Sequence, residues 1–287
     1  MSGSGKVSFF SKKTTTCPVC STQFNKEEMH TGRGRLIAGD LTIELRRNYE
    51  ASQKYGEVFP IIYTMIVCPG CYFSAFPADF ESVNQQAIGA LEGETQNRIA
   101  RVEKLFPDID FHQPRGIEEG AASYLAGMFT YEHFDKENAP TFKQGLCALR
   151  AAWACNDLHK KKPNDNYDYL SKVFYRKAAF LYSLAVEYEQ SGEEALPSDF
   201  HFGPDTDKNY GYDGVLYISG FLVYKYGPKK NPEKRKESLE KAKRIVARIF
   251  GMGKASKDKP AAILDNARDL FAKINNELKE NFGSDEA

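Results

Sequence analysis

The chain has 287 residues, enough to bury a sizeable core in one or two domains. Its 39 basic and 39 acidic side chains cancel, so no global charge draws it to nucleic acid or to a membrane surface. No run approaches the eighteen or so apolar residues of a membrane span, and the Gly/Ser/Lys/Thr-rich start holds only Phe9-Phe10 as an apolar step, too short for a signal peptide. These features predict a soluble cytoplasmic protein without membrane contact.

In chain order, residues 1–16 read as a mobile tail. Gly3-Ser4-Gly5-Lys6 lacks the earlier glycine, preceding strand and following helix of a phosphate-binding loop. Cys17-Pro18-Val19-Cys20 and Cys68-Pro69-Gly70-Cys71 follow. Two C-P-x-C couples in a chain without an export signal are the spacing of four thiolates around one tetrahedral metal. Cys17, Cys20, Cys68 and Cys71 are therefore the candidate ligands of one structural zinc. Redox dithiols are the rival reading, but neither couple stands at a helix start in a βαβ context.

Residues 17–79 read as a zinc-ribbon-like module with a β-rich insert. Leu41-Thr42-Ile43-Glu44-Leu45 alternates with the period of a half-buried strand, among the turn glycines Gly32, Gly34 and Gly39. Phe59 to Val67 reads as a second strand that delivers Cys68.

From residue 80 the period becomes helical, and 80–282 is predicted as an α domain before a frayed tail at 283–287. Ile99, Val102 and Leu105 mark one helix; Tyr124, Leu125 and Met128 another; Phe142, Leu146, Leu149 and Trp153 a third. Leu170 to Tyr188 keeps a helical face over five turns, and an apolar helix runs from Val215 to Tyr226. The next places Leu239, Ala242, Val246 and Ile249 opposite Lys234, Lys241, Arg244 and Arg248. A last helix follows Pro260. The pairs 141–157 with 169–190, and 212–226 with 232–250, resemble tetratricopeptide hairpins without a strict 34-residue period. The fold class is thus α+β, mainly α: a small zinc-ribbon-like β module, then TPR-like antiparallel helical hairpins.

The C-P-V-C couple, with the later run Ile66-Val67-Cys68-Pro69-Gly70-Cys71-Tyr72-Phe73-Ser74-Ala75 ending at Asp79-Phe80, is similar to an uncharacterised bacterial family known as a domain of unknown function. Ala152-Trp153 and Ala267-Arg268-Asp269 fit the same resemblance. It implies zinc and a helical scaffold, and no reaction. Such knuckles usually place glycine after the second cysteine, where φ is positive. Here Ser21 and Tyr72 stand there, which predicts strain at Tyr72 and a second turn that departs from the usual knuckle.

Beyond the four ligands no catalytic constellation emerges. Cys147 and Cys155 read as buried core thiols, and His30, His112, His133, His159 and His201 are scattered. Residues 225–259 carry thirteen basic against four acidic side chains, by default a solvated face. The sequence therefore points to a non-catalytic adaptor with a protein partner. The alternative is nucleic-acid binding through Arg33, Arg35, Arg46, Arg47 and the basic helix 231–250.

Overall fold

The computed structural model describes residues 5–197, 200–250 and 260–283. Three two-stranded antiparallel sheets come first: β1 (Ser8–Thr16) with β2 (Gln23–Met29), β3 (Ile37–Leu41) with β4 (Arg47–Glu50), and β5 (Ile66–Val67) with β6 (Ser74–Ala75). Helices follow: α1 (Pro77–Phe80), α2 (Gln85–Gly93), α3 (Thr95–Glu103), α4 (Ile117–Tyr131), α5 (Pro140–Lys161), α6 (Tyr167–Ser191), α7 (Gly211–Tyr226), α8 (Pro232–Phe250) and α9 (Ala261–Phe282). The fold is α+β and mainly α, as the change of period near residue 80 requires. No helix among the described residues is long and apolar enough to cross a membrane.

From α4 onward each long helix packs on its chain neighbour, so both expected pairs, α5 with α6 and α7 with α8, are present. Helix α5 lies at the centre and is buried on nearly every side between α4 and α6. Small residues permit this close packing. A Cβ on Gly145 would stand 3.0 Å from the Tyr182 ring, and one on Gly127 would stand 3.2 Å from Cys147 Sγ.

Three expectations for the N-terminal part are corrected. Residues 8–16 are not a mobile tail but strand β1, paired from Ser8↔Met29 to Thr16↔Gln23. The β-branched run Thr14-Thr15-Thr16 suits a pleated ladder, and the composition of a tail concealed it. Residues 1–4 and the end of the predicted C-terminal tail, 284–287, lie outside the described residues. The segment Phe59–Val67 is not one strand, because Pro60–Tyr63 forms a 3₁₀ turn and only Ile66–Val67 pairs. Proline at the first position of a helical turn loses no hydrogen bond there, and the apolar side chains are buried by packing rather than by alternation.

The third correction matters most for the assembly. Leu41–Leu45 is not a half-buried strand. After Leu41 the chain turns, with Leu45 N–H donating to Thr42 O at 2.9 Å and Leu45 in the left-handed region at φ 57°. The turn plugs into the helices: Leu45 is fully buried, while Ile43 stays exposed. Glu44 accepts from Trp153 Nε1 at 2.5 Å and from Tyr175 OH at 2.7 Å, and Tyr217 OH donates to Ile43 O at 2.7 Å. Arg46 pairs with Asp157 and lies over the Trp153 ring.

One apolar core runs from Cys17 to Ile274 without a break at residue 79. Asp79 is itself buried, accepting from Lys143 Nζ at 2.8 Å and from Tyr131 OH at 2.7 Å. That triad ties α1 to α4 and α5. Removing one partner of a buried ion pair leaves an uncompensated charge. Lys143→Met should therefore destabilise the protein by about 3–5 kcal/mol in denaturant unfolding, and adding Asp79→Asn should recover much of that loss. Unchanged stability in the single variant would refute this role.

Candidate metal centre

Each C-P-x-C couple forms a tight turn at the end of a short hairpin. At the first, Ser21 N–H donates to Cys17 O at 3.0 Å and Cys17 N–H to Thr22 O at 2.9 Å. At the second, Tyr72 N–H donates to Cys68 O and Cys68 N–H to Phe73 O, both at 2.9 Å. The two knuckles have the same hydrogen-bond pattern. Ser21 at φ 60° and Tyr72 at φ 55° both occupy the left-handed region. The expectation that the second turn would differ is thus corrected: Tyr72 adopts the conformation glycine would take, and carries its strain.

Contacts from outside the knuckle hold Tyr72 there. Its ring meets Phe111 edge-on at 5.1 Å, and its hydroxyl donates to Glu103 Oε1 at 3.1 Å. Burial and the nearby Glu103 carboxylate push the phenol up to about 12, so it remains a donor. Ser21, by contrast, is exposed.

The four predicted ligands converge. Cys17 Sγ lies 3.6 Å from Cys71 Sγ, Cys20 Sγ lies 3.5 Å from Cys68 Sγ, and all four sulfurs fall within 4.8 Å of one another. A tetrahedral ion with metal–sulfur bonds of about 2.3 Å sets sulfurs about 3.8 Å apart, so the donor set fits. Cys17, Cys68 and Cys71 are buried and Cys20 is partly so. The knuckles interlock: a Cβ on Gly70 would stand 2.6 Å from Thr22 Oγ1, itself 3.2 Å from Cys20 Sγ. Hydrogen bonds from the Cys17 and Cys71 thiols hold Cys68 down towards the thiolate, while the bond to Cys68 holds Cys17 up and the bonds to Cys17 and Cys68 hold Cys71 up. The site can hold a metal ion through four sulfurs. His30 stacks on Phe9 at 4.6 Å and is not among the converging groups.

A residue the sequence reading missed stands behind the sulfurs. Arg98 of α3 is 2% exposed, with its guanidinium donating to Cys71 O at 2.9 Å, Leu91 O at 2.9 Å and Thr95 Oγ1 at 3.2 Å. No carboxylate among the described residues pairs with it. Four thiolates around a divalent ion would carry a net double negative charge, and Arg98, bonded to the Cys71 carbonyl, would be a buried cation set against it. The signal was its position four residues before Val102 on the buried face of α3, where a charged side chain needs a reason.

The remaining predicted features lie elsewhere. Cys147 and Cys155 are buried core thiols, with burial pushing Cys155 up to about 12 and raising Cys147 as well. Arg35, Arg46 and Arg47 make intramolecular contacts: Arg35 donates to Lys6 O and Gly32 O, and Arg47 pairs with Asp207.

A family model described as "Uncharacterized protein conserved in bacteria (DUF2225)" matches residues 10–274. The chain belongs to the DUF2225 family. The resemblance first carried by the cysteine couples therefore covers nearly the whole chain, helices included. A DUF2225 relative from Borreliella burgdorferi (strain B31), described as "Uncharacterized protein", is 47% identical over 275 residues, covering 96% of this chain and 98% of its own length. No solved structure matches the chain.

Two outcomes follow for the site. Ser21→Gly should raise stability by about 1 kcal/mol, because a left-handed serine is relieved and no packing is lost; a destabilised variant would contradict the assigned backbone. Arg98→Met should weaken metal binding about 10–100-fold in competition with a chromophoric chelator, the range for partners that support metal ligands. Unaltered affinity would remove Arg98 from the site.

Proposed function

We propose that this DUF2225 protein is a non-catalytic scaffold, held together by one structural zinc and engaging a protein partner through a TPR-like helical surface. The observation that carries the reading is the closed set of four sulfurs. Four thiolates complete a tetrahedron and leave no position for water or substrate. Soft sulfur donors in tetrahedral array select zinc among the abundant divalent ions. The ligands must be reduced to bind it, and we place the protein in the cytoplasm for that reason.

Zinc would join β1–β2 to the β5–β6 hairpin, two short sheets that bury too little surface to persist alone. The successive long helices supply an extended surface of the kind stacked helical hairpins use for protein recognition. Nucleic-acid binding through the arginines of the insert gains no support from Arg35, Arg46 and Arg47, which are engaged within the chain.

Metal analysis tests the first half. Protein purified without chelator should hold one zinc per chain, and less than about half an equivalent would overturn the zinc assignment. Cys68→Ser should lose the metal and lower the unfolding temperature. For the second half, in-cell cross-linking of wild-type protein should trap a specific protein after nuclease treatment. A chain that traps none would overturn the scaffold.

A further inference from the structure

Helices α6, α7 and α8 leave a groove of about 900 Å³, lined also by the connection 227–231. Its lining includes the apolar side chains of Ala179, Val223 and Pro228. Its rim carries Lys172, Arg176, Lys225, Lys229, Lys230 and Lys241, with no acidic side chain in the lining. Three of these cations have carboxylates nearby: Lys172 with Asp168, Lys225 with Glu44 and Lys241 with Glu187. Arg176, Lys229 and Lys230 are exposed, and no carboxylate among the described residues pairs with them. The groove is thus positive on balance although the whole chain is neutral.

An exposed apolar stripe runs into it. Tyr169, Val173, Arg176 and Phe180 follow one another on α6 at steps of four, three and four, along about 16 Å of one helix face. Tyr169 is 62% exposed, Val173 39% and Phe180 63%. Phe180 lies in the groove itself. The opposite face of α6 is fully spent in the core, through Phe174, Ala178, Leu181 and Ala185. A helix with a second apolar stripe facing outward, flanked by cations, has one face to spare.

We propose that this groove docks an acidic amphipathic helix of a partner protein, its apolar side against Phe180 and Val173 and its carboxylates against Arg176, Lys229 and Lys230. The inference rests on the scaffold reading and names the chemistry of the partner. Helix-in-groove recognition uses apolar anchors at this spacing with complementary charge around them. A single-stranded nucleic acid fits less well. It needs successive stacking platforms, whereas Tyr169 and Phe180 stand about 16 Å apart on the helix, and one face of Tyr226 is covered by Tyr175 at 4.1 Å.

Fluorescence anisotropy on the full-length, zinc-loaded protein tests this with three labelled probes. One is a peptide of about 18 residues, long enough for a helix, with leucines at helical spacing and glutamates elsewhere. The second has the same composition scrambled, and the third is an oligouridylate. The amphipathic peptide should bind better than its scramble. Phe180→Ser and the pair Arg176→Glu/Lys230→Glu should each weaken it about tenfold or more, at unchanged zinc content and unfolding temperature. The groove assignment is overturned if the peptide does not bind, if the scramble binds equally well, or if the oligouridylate binds more tightly and loses affinity in the same variants. Concentration-dependent dimerisation abolished by Phe180→Ser would assign the face to a second copy and overturn it too. None of these failures touches the scaffold reading, which stands or falls on zinc content and cross-linking.

Discussion

Two tight turns, their facing cysteines Cys20 and Cys68 lying 48 positions apart in the chain, must bring four sulfurs to one point. Everything in the N-terminal part is arranged around that demand. Each turn needs a left-handed residue after its second cysteine, and the chain supplies Ser21 and Tyr72. Such a residue is strained by about 1–2 kcal/mol where it is not glycine. At Ser21 nothing offsets the strain visibly. At Tyr72 the side chain that causes it also anchors the knuckle, through Phe111 and Glu103.

Helix α3 links the sulfurs to the helical part. Glu103 holds Tyr72, and Arg98 reaches the Cys71 carbonyl from the same helix. A fully buried guanidinium without a carboxylate would be unfavourable in an uncharged interior. Near four thiolates holding a divalent ion it would be matched. The metal site is therefore joined to the helical part by charge and hydrogen bonding as well as by apolar packing.

The insert between the couples does a second job. Its turn at Thr42–Arg46 enters the helices, with Leu45 buried and Glu44 bonded to Trp153 of α5 and Tyr175 of α6. Of the arginines that gave the insert a nucleic-acid look, Arg46 is part of the same docking, since it meets Asp157. The cysteine cluster and the plug hold two parts of the N-terminal segment, and the Asp79–Lys143–Tyr131 triad holds its junction with the helices.

The fold class, the long helices and the four cysteines that converge were all legible in the sequence. Helical periods and the C-P-x-C spacing are local properties, and each is complete within a few turns of chain. The 3₁₀ turn at Pro60 and the plug at Glu44 depend on tertiary structure, because the side chains around them are buried by partners distant in sequence, whereas strand β1 rests on its ladder with β2 and leaves most of its side chains exposed. Alternation at Leu41–Leu45 suggested a strand, yet Leu45 meets the core through a left-handed turn. Arg98 was not singled out in the sequence, and only the fold brings it to the Cys71 carbonyl. The left-handed Tyr72 likewise depends on Phe111 and Glu103, contacts no local pattern encodes.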